Sequence, residues 1–248
     1  MPRTTRRSLL LRAGTLGAAL ATRPALADNA RDAPPKLKVV ITGGHPGDPE
    51  YGCGGTVARL TDLGHEVVFL YLNNGEPAGK RGAGAVRMAE AARACEILKA
   101  RPVYAGQIDG EAIVDQAHYR AFRELLDAER PDAVFTHWPI DNHADHRAIS
   151  LLAYDAWLQS SRRFAFYYYE VSNGEDTVQF TPTDYVDITA AEPRKRQACF
   201  AHASQAPERF YATQDHVARF RGIERGFGRA EAFIRHVQSR DILLPTSS

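Results

Sequence analysis

Cysteine is scarce in this chain of 248 residues: Cys53, Cys95 and Cys199 stand far apart and form no C-x-x-C pair. That excludes a zinc ribbon or a disulfide framework, leaves room for one disulfide at most, and suits three small buried apolar residues. No uninterrupted apolar run reaches the roughly 20 residues that a membrane span needs, so no stable span is expected. A basic face is missing too. Lysine and arginine number 31 against 30 aspartates and glutamates, and no basic stretch is interleaved with aromatics, which argues against a nucleic-acid partner. Nor do the glycines complete a nucleotide fingerprint. "GCGG" at 52–55 lacks the rest of G-x-G-x-x-G directly after a strand, and no Walker lysine follows. Internal repeats and low-complexity segments are absent.

What is present begins with an ordered N-terminus. Arg6 and Arg7 stand side by side, a modest apolar stretch broken by Arg12 runs from Leu9 to Ala21, and Ala25-Leu26-Ala27 closes it. This is the layout of a twin-arginine signal peptide over 1–27, with a linker at 28–36 and one domain over 37–248. The expected location is therefore periplasmic or extracellular, with the twin-arginine export machinery as a partner. Loss of 1–27 removes five arginines and no acids, taking the net charge from +1 to −4.

Beyond the linker, short continuous apolar runs alternate with helical patterns. "KLKVVITGG", "HEVVFLYLNNG", "RPVYAG", "DAVFTHW" and "RFAFYYYEV" read as strands; "GCGGTVARLTDLG", "AVRMAEAARACEILKA", "DQAHYRAFRELLDAERP" and "DHRAISLLAYDAWLQ" read as helices. Strands apolar on both faces, alternating with helices, give a Rossmann-like, doubly wound α/β domain with a mostly parallel sheet and helices on both faces. The last third is less regular: "YVDIT" reads as a strand, and "EPRKRQACFAHASQ" and "RAEAFIRHVQ" as helices. The run Tyr167 to Tyr169 suits a pocket, an interface or the core equally.

In such sheets ligands bind beyond the carboxyl ends of the strands, where strand order reverses, and the usual order sets strands one and four side by side there. "GGHPGDPE", with His45, Asp48 and Glu50, follows strand one; "THWPIDNHADH", with His137, Asp141, His143, Asp145 and His146, follows strand four. Topology alone sends both clusters to one crevice. Hydrolytic zinc sites use three His or carboxylate ligands and leave a fourth position open. His45, Asp48 and His146 make such a set, which suits Zn2+ and also Fe2+. Gly43 and Gly44 are expected to take φ values that a β-carbon forbids, and Pro46 and Pro49 to stiffen the loop. Asp48 and Asp145 also suit helix N-caps. His65, His118, His137, His202, His216 and His236 are read as solvated or hydrogen-bonded structural groups.

At these residues the chain resembles the LmbE-like, or PIG-L, family of zinc-dependent de-N-acetylases. The likeness extends to "VRMAEAARACEILKA" with Arg87 and Glu90, to "YVDIT" followed by "RKRQACFAHASQ", and to "RGIERGFGRAEAF", so it spans most of 37–248. It implies removal of an acetyl or other acyl group from the nitrogen of an amino sugar, glycolipid or related small amide. By the same resemblance His45, Asp48 and His146 are the metal ligands. His143 stabilises the oxyanion or protonates the departing amine, Asp145 orients His143, and Arg87 supports the substrate.

One position departs from the family. Its first motif reads His-Pro-Asp-Asp-x-Glu, and the first aspartate is the base that activates water; here it is Gly47. Loss of a positioned base costs about 10²- to 10⁴-fold in rate. Asp141 is the first replacement to consider and Glu50, otherwise a substrate-binding residue, the second. After these come a metal acting unaided and a binding module that has lost its chemistry. "DNHADH" also lies one residue from the His-x-His-x-Asp-His motif of metallo-β-lactamase-like hydrolases, but that fold needs packed antiparallel sheets and leaves His45 and Asp48 unexplained.

Overall fold

The computed structural model describes residues 35–242 and 244–245. The segment expected to be a signal peptide, and all but the end of the expected linker, lie outside them. Within them β1 (Lys38–Gly43), β2 (Glu66–Pro77), β3 (Arg101–Asp109), β4 (Ala133–His137) and β5 (Ala165–Tyr169) alternate with α1 (Asp48–Asp62), α2 (Ala83–Leu98), α3 (Gln116–Glu129) and α4 (Ala144–Gln159). The chain then adds β6 (Asp184–Asp187), α5 (Glu192–Phe200), α6 (Pro207–Ile223) and β7 (Ala230–Arg235). One seven-stranded sheet has the order β3-β2-β1-β4-β5-β7-β6. The first five strands are mutually parallel, and β7 runs antiparallel to both β5 and β6. This is the doubly wound α/β domain that the alternation of strands and helices predicts. Among the described residues no second sheet packs on it, as a metallo-β-lactamase-like fold would require.

The apolar runs explain why both faces are covered. Val39 and Ile41 of β1 join the core beneath α1, α2, α5 and α6, while Val40 joins the core beneath α3 and α4. A strand that feeds two cores has no polar face to show. Tyr167 and Tyr169 belong to the first core and are fully buried. Cys53, Cys95 and Cys199 are free and buried. Among the described residues no helix is long and apolar enough to cross a membrane.

The last third differs from expectation. "RAEAFIRHVQ" does not form a helix: its alanines and glutamate favour one, yet β7 is paired on both edges and Phe233 is buried, so tertiary pairing overrides local preference. The helix α6 lies between the two segments expected to be helical.

The order reverses between β1 and β4, whose register pairs Ile41 with Phe135. The loops that follow both strands therefore open side by side, as Rossmann-like winding requires.

Candidate active site

Residues 44 to 47 pass from β1 to α1 in a tight turn in which the Asp48 amide donates to the His45 carbonyl at 3.2 Å. The glycines serve this turn differently from the sequence expectation. Gly43 and Gly44 have no positive φ. A β-carbon on Gly44 would stand 2.8 Å from the His146 ring and 3.2 Å from Asp48 Oδ2, and one on Gly43 would strike Pro49, so close approach rules out a side chain. The positive φ belongs to Gly47, at 115°, which is the N-cap of α1. Asp48 is thus the first residue of the helix rather than its cap. Glu50, fully buried, accepts the Gly47 amide at 3.1 Å, the Tyr71 hydroxyl at 2.7 Å and an N–H of His202 at 2.9 Å. It anchors the turn from behind and does not line the cavity in front of it.

His143 caps α4, and its Nδ1 accepts the Asp145 amide at 3.2 Å. That fixes the proton of the neutral ring on Nε2. Burial, and then the neighbouring His45 and His146, hold the His143 pKa below its usual value, so the ring is a neutral donor. The Asp145 backbone, and not its carboxylate, orients His143. The carboxylate goes to His45 Nε2 at 3.1 Å, with Asn73 and the Gly110 amide as its other donors.

His45, Asp48 and His146 converge. Asp48 Oδ2 lies 3.3 Å from His45 Nδ1 and 3.3 Å from His146 Nε2. The outer nitrogen of each ring is held by carboxylates: His45 Nε2 by Asp145 and by Asp109 at 3.1 Å, and His146 Nδ1 by Asp141 Oδ1 at 3.1 Å. This is the support that metal-ligating imidazoles ordinarily have, with the inner nitrogen left to the cation. Burial opposes charge on these rings, but Asp109, Asp145 and Asp48 raise the His45 pKa well above its usual value, and Asp48 and Asp141 raise that of His146 to about 9. Burial likewise opposes ionisation of Asp48, yet His146 foremost, joined by His45, holds it well below the ordinary range. An ionised carboxylate facing imidazoles backed by acids is a donor set that fits a divalent cation. The groups whose donor atoms lie close enough to share one are His45 with His143 and His146, Asp48 with His137 and His146, and His45 with Asp109 and Asp145. His45, Asp48 and His146 are thus each part of such a group.

His137 also comes within 3.3 Å of Asp48 Oδ2. Its Nε2, however, accepts the Gly44 amide at 3.1 Å, so the lone pair that a cation would need is engaged. Its pKa is pushed down to about 4, chiefly by burial, and its ring stacks on His146 with centroids 3.9 Å apart. It is a structural prop. Asp141 is equally committed: Oδ1 takes the His143 amide at 2.8 Å as well as His146, and Oδ2 takes the Thr177 hydroxyl at 3.0 Å. Its side chain is fully buried and does not line the cavity, which leaves it unable to meet a substrate water.

The cavity in front of the cluster holds about 260 Å³. Its polar wall carries His45, Asp48, His143, His146 and Arg87, and Tyr51 and Phe210 form an apolar side. Arg87 is buried, and its guanidinium donates to the Pro46 carbonyl at 2.6 Å. Two further acids open into the same space, Asp109 and Asp176. Neither stands out in the sequence. Asp109 ends β3, so the rule that placed the other two loops would have found it had the strand been read beyond "RPVYAG". Asp176 lies in an irregular loop with no motif around it.

Known proteins share this fold and part of this sequence. Residues 40–157 match the family model PIG-L, GlcNAc-PI de-N-acetylase. The diacetylchitobiose deacetylase of Thermococcus kodakarensis is 28% identical over 199 residues, covering 69% of this chain and 71% of its own. Among solved structures, the conserved protein TT1542 of Thermus thermophilus superposes with a TM-score of 0.73 and 27% identity over 84% of this chain and 98% of its own. The N,N'-diacetylchitobiose deacetylase of Pyrococcus horikoshii, at 23% identity, shares the fold with a TM-score of 0.70 over 81% and 84% of the two chains. The motif pattern, the sheet order and these relatives all agree with the match of residues 40–157 to the PIG-L, LmbE-like family of de-N-acetylases.

Proposed function

We propose that this protein is an exported, zinc-dependent amidohydrolase that removes an acetyl or other small acyl group from the nitrogen of an amino sugar, a glycolipid headgroup or a related amide. The observation that carries the reading is the meeting of His45 Nδ1 and His146 Nε2 at one oxygen of Asp48, each ring backed by a carboxylate on its far side. These three side chains would hold the cation; the same donors also accept iron(II). Such an ion supplies Lewis-acid polarisation of the acyl carbonyl and makes water more acidic.

The chain's own residues do the rest. His143, with its proton on Nε2, faces the cavity as a hydrogen-bond donor to the oxygen on which negative charge develops. A preorganised donor of this kind contributes about 10²- to 10³-fold. Asp141 and Asp145 hold the two imidazole ligands in place, and Arg87 fixes the turn through the Pro46 carbonyl. Tyr51 and Phe210 give the cavity an apolar side suited to an acyl chain and the face of a sugar. The diacetylchitobiose deacetylase among its relatives favours an N-acetylated amino sugar.

Export rests on Arg6, Arg7 and the segment to Ala27, which lie outside the described residues. It is tested by fractionating cells that express the chain and its Arg6→Lys/Arg7→Lys variant; retention of both in the cytoplasm refutes it. The activity is tested by measuring metal content and free-amine release from N-acetylated monosaccharides, chitobiose and glycolipids. One equivalent of metal with amine release is the expected result. Metal without turnover on any acyl amide overturns the enzymatic reading in favour of a binding protein.

A further inference from the structure

With Gly47 where the family has its base, a de-N-acetylase needs another acceptor for the water's proton. Asp141 and Glu50 are spent on buried hydrogen bonds, as described above. Asp109 reaches the cavity, but its carboxylate is bound to His45 Nε2 at 3.1 Å, a contact that keeps its pKa low and makes it a poor proton acceptor.

Asp176 is different. Its backbone is pinned on both sides: its amide donates to the Ser172 carbonyl at 2.8 Å, and its carbonyl accepts the Asn142 amide at 2.9 Å. The next residue, Thr177, bridges to Asp141 in a short antiparallel pairing and donates its hydroxyl to Asp141 Oδ2 at 3.0 Å. The loop is thereby fastened to the acid–histidine loop that carries His143. Yet the Asp176 carboxylate itself has no hydrogen-bond or ion-pair partner among the described residues, and it lines the cavity together with Gly47, Asp48, His143 and His146. A fixed backbone carrying a free, half-buried carboxylate toward the reacting groups is what a general base requires.

We propose that Asp176 is the catalytic base of this chain, taking the proton-accepting place that Gly47 leaves empty. The assignment rests on the acyl-amide hydrolysis argued above. The Asp176 carboxylate takes one proton from water as the water oxygen bonds to the acyl carbon. The C–N bond then breaks with its electron pair on nitrogen, and that nitrogen receives the proton from Asp176. Acid and amine leave, Asp176 is again a carboxylate, and nothing is oxidised or reduced. Its surroundings suit the role. Burial, joined by the charges of Asp141 and Asp48 and opposed by His146 and His143, raises its pKa above the usual aspartate value, which strengthens it as a base.

The test uses the full mature chain loaded with zinc. Asp176→Asn, which keeps the shape and removes the acceptor, is expected to lower kcat about 100-fold or more. KM and the metal content measured by mass spectrometry should stay at wild-type values, and the acid limb of the kcat/KM profile should disappear. Formate added to Asp176→Ala should restore part of the turnover but restore none to His143→Ala. A ¹³C-NMR titration of the Asp176 carboxyl, which needs no turnover, should show it above the ordinary aspartate range. The proposal is overturned if Asp176→Asn keeps turnover within a few-fold of wild type, if it loses metal along with activity, or if Asp109→Asn and not Asp176→Asn removes the acid limb. Wild-type protein that releases no amine from any acyl amide would sink the hydrolase reading, and this assignment with it. An active wild type with an equally active Asp176→Asn sinks the assignment alone.

Discussion

Beneath α1, Lys195 and Glu231 are both buried, and they meet at 2.6 Å; the other lone pairs of Glu231 take the Gly55 and Thr56 amides at 2.8 and 2.7 Å. Nearby, Arg221 grips Glu170 with two parallel hydrogen bonds of 2.8 and 2.7 Å. Lys195 answers one negative charge, and Arg221 answers Glu170 and also Glu224 at 3.0 Å, so each carboxylate has a cation beside it. At the carboxyl ends of β1 and β4 the balance is different. Asp48, Asp109, Asp141, Asp145 and Asp176 gather around histidines, and the fixed cation of the cavity wall, Arg87, spends a hydrogen bond on the Pro46 carbonyl. Two imidazoles respond by holding protons above their usual range. The matched pairs serve the fold, whereas the acidic surplus asks for a cation that the chain itself does not provide.

The acidic surplus should suffer most from a change at Asp48. Asp48→Ala is expected to reduce bound metal from one equivalent to none and amine release by about a thousandfold or more, since Lewis-acid stabilisation is worth several kcal/mol and about 1.4 kcal/mol is tenfold. Elemental analysis and an amine assay on the same preparation check it. Retained metal would show that the surplus has another purpose.

The matched region should fail in the opposite manner. Lys195→Met strands the Glu231 charge, which costs about 3–5 kcal/mol for a buried pair. Urea unfolding should show that loss, while turnover per folded, metal-loaded molecule stays near wild type. A large fall in kcat without loss of stability would blur the distinction between the two regions.

Asp141→Asn tests the boundary between them, because Asp141 lies at the site yet makes only structural contacts. It is expected to weaken metal binding by about 10- to 100-fold, the usual effect of removing the partner of a ligating imidazole. Turnover at saturating metal should suffer much less. A kcat loss that added metal cannot restore would make Asp141 a base after all.

Much of this arrangement was legible in the sequence because it depends on order along the chain. Apolar runs alternating with helices dictate a doubly wound sheet, and the switch between β1 and β4 brings His45, Asp48, His143 and His146 together without knowledge of any coordinates. The illegible parts depend on contacts that no local pattern encodes. Asp145 looks like the partner of His143, but helix geometry turns its amide to that ring and its carboxylate to His45, about a hundred residues away. Asp176 sits in a loop whose position is set by pairing with Asp141 and Asn142. The segment forming β7 has helix-favouring residues and becomes a strand only because β5 and β6 claim both of its edges.

Gly47 stands where the surplus of acids is one short. The space there would admit a side chain: the nearest atoms to an added β-carbon belong to the Tyr51 ring at 3.7 Å. The backbone would not welcome one, because φ is 115° and an L-residue held there costs about 1–3 kcal/mol. Gly47→Asp is therefore expected to lower stability by that amount in thermal unfolding and to add little to the turnover of the otherwise native chain. The same substitution in the Asp176→Asn background should recover part of the lost rate, because it offers a carboxylate to the cavity that has just been deprived of one. A large gain in the native background, with no loss of stability, would mean that the turn relaxes freely and that the native site lacks a working base; equal turnover of the two Asp176→Asn proteins would mean that position 47 no longer reaches the reacting water.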